Sequence, residues 1–111
     1  VVEIPREVLD MSRKEQIAAL LQEDPDDPFL RYALAMEYVG CGEDETALEH
    51  FARLLEEHPE YVPGYLQMGQ ALVRLGRSAQ ARDCWQRGIA VARSTGDLHA
   101  AQEMEAFLQT L

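Results

Sequence analysis

The sequence predicts an all-α protein, and three observations predict it. Apolar residues recur at helical spacing in six segments. Proline, glycine and capping residues punctuate the gaps between them, and no segment shows the strict alternation of a half-buried strand. With 111 residues, 47% of them apolar, the chain suffices for one domain with a modest core.

Residues 1–10, "VVEIPREVLD", read as an upstream extension, because Met11-Ser12 looks like a native start. The domain is expected over 12–111. Its leading helix spans about 12–23, where Ser12 and Glu15 form a capping box and Ile17, Leu20 and Leu21 an apolar stripe. "EDPDDP" breaks the chain, and Asp27 with Pro28 opens a second helix over about 28–40. "GCGED" turns into a third over about 44–57, which stops before Pro59. Pro63 starts a fourth, about 63–75, ended by Gly76. The fifth covers about 78–94, and Asp97 caps a sixth over about 97–110.

Gly69 sits inside the fourth helix, where glycine costs roughly 1 kcal/mol relative to alanine. A repeat explains it. Residues 31–59 lie over 65–93 so that Leu34 falls on Met68, Ala35 on Gly69 and Tyr38 on Leu72. Gly42 likewise falls on Gly76, Ala47 on Ala81 and Phe51 on Trp85, always at an offset of 34. Pro25 and Pro59 share that spacing. Small residues recurring on facing helices let the backbones come close, with Phe51 and Trp85 filling the space beside them.

This pattern resembles the tetratricopeptide repeat family. The first unit supplies Leu34, Ala35, Tyr38, Gly42, Ala47, Phe51 and Pro59, and the second Tyr65, Met68, Gly69, Leu72, Gly76, Ala81 and Trp85. Departures are Arg31 where an aromatic is usual, Gly88 where alanine is usual, and Arg93 in place of the terminal proline. Losing that proline implies that the fifth helix overruns its usual stop. The resemblance implies a right-handed superhelix of antiparallel helix pairs: a leading helix over 12–27, repeats over 28–61 and 62–95, and a capping helix over 96–111.

The resemblance also implies a concave groove lined by the first helix of each pair. Its positions map onto Phe29, Tyr32, Met36 and Val39, then Leu66, Gln67, Gln70, Val73 and Arg74, with Ala100, Ala101, Met104 and Phe107 from the last helix. One subclass clamps a C-terminal carboxylate here with Lys, Asn and Arg. Tyr32, Met36, Leu66 and Gln70 stand at those places, which argues against such a clamp. An apolar groove with a few amides suits an amphipathic helix or an apolar extended segment, Met36 and Met104 being adaptable contacts. These residues would otherwise pack against the last helix or a second subunit.

No catalytic, cofactor-binding or metal-binding set is predicted. His50, His58 and His99 lack partners at ligand spacing, and "EDPDDP" lacks the glycine and spacing of a calcium loop. No phosphate cradle or nucleophile elbow appears. Cys41 and Cys84 read as reduced, partly buried thiols of a cytoplasmic protein, although Arg82 and Arg87 would lower the Cys84 pKa if it were exposed.

The net charge of −10 is uneven: 16 acidic and five basic residues up to Tyr61, four and five from Val62 onward. That balance disfavours nucleic acid and anionic membranes as partners. No apolar run approaches a membrane span. The expectation is a non-catalytic module that binds a protein or peptide partner, the alternative being self-assembly as a homodimer.

Overall fold

The computed structural model describes residues 5–6 and 11–111, so most of the upstream extension lies outside the described residues. From Ser12 onward the chain forms α1 (Arg13–Glu23), α2 (Pro28–Gly40), α3 (Asp44–Glu57), α4 (Val62–Arg74), α5 (Ser78–Thr95) and α6 (Leu98–Leu108). No strand occurs among the described residues. Each helix packs on its neighbours in sequence, and α4 also touches α6, giving an all-α superhelix of antiparallel pairs. The stack measures 49 × 30 × 21 Å.

The helix ends form for local reasons. Ser12 Oγ accepts a hydrogen bond from the Glu15 amide at 3.1 Å. Asp27 Oδ1 accepts from Phe29 and Leu30 at 2.9 and 3.2 Å, and Asp97 accepts from Ala100 at 3.1 Å. These bonds satisfy amides that a helix start leaves orphaned. Gly42 and Gly76 both adopt φ +75°, a left-handed conformation costly for other residues. The amides that follow them, of Glu43 and Arg77, then reach back to Tyr38 and Leu72 oxygens at 2.9 and 2.8 Å. The same turn is built twice.

Gly69 has no room for a side chain, because the large residue expected beside it fills the space. A Cβ there would land inside the Trp85 indole, overlapping Nε1 and Cε2. The ring lies on the glycine, and its N–H donates to the Leu66 carbonyl at 3.2 Å. Tertiary packing outweighs local propensity here. Gly88 is equally crowded: a Cβ would meet Met104 Sδ and Tyr65 Cβ, each at 2.6 Å.

The fifth helix does overrun. It has 18 residues where α3 has 14, and Gly96 at φ +82° ends it. As a result α6 starts 36 residues after α4, whereas α4 starts 34 after α2. The last helix is therefore out of register with the repeat.

Candidate functional site

The outward faces of α2 and α4 carry the predicted groove residues. Phe29 is 64% exposed and Val73 38%. Between them Met36, Val39, Leu66 and Gln70 are half-buried. Tyr32 leans on Phe51 and Tyr61, with ring centroids 6.2 and 5.5 Å away. Burial raises its pKa, helped by neighbouring Tyr61, while the Gln67 side chain on α4 opposes the shift.

Two predicted residues do not belong to an open groove, and a third, still exposed, is tied to a neighbouring helix. Met104 is fully buried and Ala101 nearly so, because the two-residue shift of α6 turns both into the core, where the Met104 sulfur fills the space over Gly88. Arg74 is engaged elsewhere. Its guanidinium makes three hydrogen bonds of 2.9 to 3.2 Å to the Asp44 carboxylate at the start of α3. It stitches the second repeat to the first. Ala100 is half-buried, and Phe107 is half-buried and stacked on Trp85 at 5.2 Å.

The departure at Arg31 has a physical cost. The side chain is 5% exposed, and its Nε has no hydrogen-bond partner. Its NH1 lies 3.5 Å from His50 Nδ1, which must act as acceptor because guanidinium only donates. Burial lowers the pKa of Arg31, with Arg53 adding to this and Glu57 and Asp26 opposing it. Burial also lowers the pKa of His50, and Arg31 pushes in the same direction. The His50 ring stacks on Tyr38 at 5.2 Å.

One of the two thiols departs from expectation. Cys41 is exposed rather than partly buried, since it caps the end of α2. Cys84 is buried, its S–H directed at the Tyr65 carbonyl at 3.4 Å. Burial pushes its pKa up to about 11 despite Arg87, so the depressed value imagined for an exposed thiol does not apply. His58 Nε2 donates to the Asp26 carbonyl at 2.9 Å, and His99 lies 2.8 Å from Glu103. Among the described residues no three His, Cys, Asp or Glu side chains gather as a metal set. No helix among them is long and apolar enough to cross a membrane.

One feature escaped the sequence reading: a cleft of about 630 Å³ between the second helices α3 and α5. Tyr65, Met68 and Leu72 of α4 form its floor. The signal lay in the i, i+3, i+4 spacing of Glu45, Leu48, Glu49 and Ala52, which is simply that of an amphipathic helix edge.

A stack of paired helices with two repeated hairpins defines a helical-repeat protein. A sequence model described as "Tetratricopeptide repeat" matches residues 45–104. A TPR repeat-containing protein of Pseudomonas aeruginosa is 36% identical over 97 residues, spanning 87% of this chain and 92% of that protein. The solution structure of a tetratricopeptide repeat domain protein from Salinibacter ruber is 37% identical, with a TM-score of 0.74 over 78% of this chain and 87% of that one. A solution structure from Bordetella parapertussis reaches a TM-score of 0.79 at 30% identity, over 90% of this chain and 87% of that one. The chain belongs to the tetratricopeptide repeat family, whose members are generally non-catalytic scaffolds for protein–protein interaction.

Proposed function

We infer that the joined outer faces of α2 and α4 bind an apolar segment of a partner protein. The observation that carries this reading is Phe29, an aromatic side chain 64% exposed on the same helical face as Tyr32, Met36 and Val39. Val73 and Leu66 extend the surface onto α4, and Gln67 and Gln70 offer amides for orientation. Burying exposed apolar area contributes of order 25 cal/mol per Å², reduced by the ordering costs of association. The double variant Phe29→Glu/Val73→Glu tests it, because both side chains are exposed. Partners captured from a native lysate by the wild-type protein should be lost by this variant. Equal capture by both proteins would remove the reading.

A second reading rests on a separate observation. Leu20 and Leu98, on the terminal helices α1 and α6, are 51% and 62% exposed, and end-to-end stacking of copies would cover them. Light scattering over a dilution series decides it. A mass that stays monomeric at the highest concentration eliminates self-assembly.

A further inference from the structure

We propose that the cleft between α3 and α5 is a second docking surface, one that accepts a basic amphipathic helix of a partner protein. It lies between the second helices of the two repeats, so it is separate from the face on α2 and α4. The lining residues run from Glu45 to Glu56 along α3, a length of about 16 Å or three helical turns. The cleft is open to solvent and offers about 630 Å³ of space.

The walls state the chemistry of the occupant. Glu45 and Arg77 face each other across the cleft and pair at 2.6 Å, neutralising one another. That leaves the carboxylates of Glu49, Glu56 and Asp83 against the single guanidinium of Arg87, and none of these four makes an ion pair among the described residues. The floor between them is apolar. A helix with a leucine-like row flanked by lysine or arginine complements this arrangement, whereas an acidic helix meets repulsion.

The first repeat supplies an internal control. Shifted back by 34 residues, the floor and wall positions Tyr65, Met68, Leu72 and Cys84 become Arg31, Leu34, Tyr38 and His50. There the space is taken by the chain itself. Arg31 is buried across the floor, and His50 stacks on Tyr38. Lys14 lies 4.7 Å over the Tyr38 ring with its ammonium 3.4 Å from Glu43. A lysine laid over this floor is thus a contact the first repeat already makes, although the carboxylate it meets there, Glu43, is replaced by Arg77 in the second. In the second repeat Leu72 and Cys84 are smaller than Tyr38 and His50, Leu48 stands where Lys14 would map, and the equivalent space is open.

The test uses fluorescence anisotropy of the full chain with two labelled amphipathic helical peptides, one of leucine and lysine, the other of leucine and glutamate. The leucine–lysine peptide should bind at least about tenfold more tightly than the acidic one and retain binding in high salt, where purely electrostatic association is screened. Ala52→Arg, at an exposed position on the cleft wall, should weaken it at least about tenfold, as should Glu49→Lys/Glu56→Lys. Phe29→Glu/Val73→Glu should leave it unchanged, which separates this surface from the first. Equal affinity for wild type and Ala52→Arg, loss of binding in salt, or loss in the Phe29→Glu/Val73→Glu variant would each overturn the proposal.

Discussion

In the first repeat Ala35 packs with Phe51 in one buried cluster, and in the second Gly69 lies beneath Trp85. The methyl group lost from one helix makes room for the second ring gained on the other, so two different pairs fill the same joint. At the neighbouring position the repeats part company. Tyr65 donates its hydroxyl proton to the Pro59 carbonyl at 2.6 Å and packs beside the Cys84 thiol. Arg31 leaves a buried Nε unpaired and leans on a histidine through one long contact. A buried donor without a partner costs about 1–3 kcal/mol. Equivalent architecture therefore hides unequal stability, with the second repeat the firmer half.

The sharpest way to break this comparison is Gly69→Ala, which forces a methyl into the indole. We expect a loss of about 3 kcal/mol in urea denaturation. Adding Trp85→Phe should return part of it by recreating the Ala–Phe pair of the first repeat, and strictly additive losses in the double-mutant cycle would refute the joint described above.

Arg31→Tyr makes the opposite exchange, giving the first repeat the residue of the second. Removing an unsatisfied buried charge should raise the unfolding free energy by about 1 kcal/mol. A decrease would mean that the guanidinium finds support beyond His50.

The pH dependence tests the same place. His50 faces Arg31 and Tyr38 on α2 and has Glu49 and Arg53 beside it on α3. Its folded pKa lies below the usual 6.5 of histidine, so just below that value the unfolded chain binds more protons than the folded one. Stability from this group is full above pH 6.5, falls as the pH drops through the window down to the folded pKa, and is then level. His50→Cys, the residue of the second repeat, should flatten that part of the profile relative to wild type. An unchanged difference between pH 7.5 and pH 5 would show that His50 is not responsible.

The smallest effect belongs to the stitch between repeats. Arg74→Ala should cost about 0.5 kcal/mol and less at high salt, since Arg74 is partly exposed although its fork onto Asp44 is well formed.

The fold was legible because its signals are local and recur. Ser12, Asp27 and Asp97 cap where their neighbours demand, Gly42 and Gly76 turn the chain alike, and the offset of 34 aligns the packed residues. The family resemblance and the overrun of α5 followed from the same residues. What was illegible depends on register and partners. Met104 reads as a groove residue only if the period continues past Arg93, and α5 breaks it. Arg74 reads as free until Asp44, 30 positions away in sequence, is brought beside it. The cleft between α3 and α5 is a space, and no single residue announces a space.

The chain has one tryptophan, and it is held between the Gly69 backbone and the Phe107 ring. Its emission therefore watches the C-terminal hairpins alone, while far-ultraviolet dichroism sums over every helix. If the two signals separate on heating, dichroism will fade first, and the lag will time the interval in which the N-terminal pair has melted while the rest still stands.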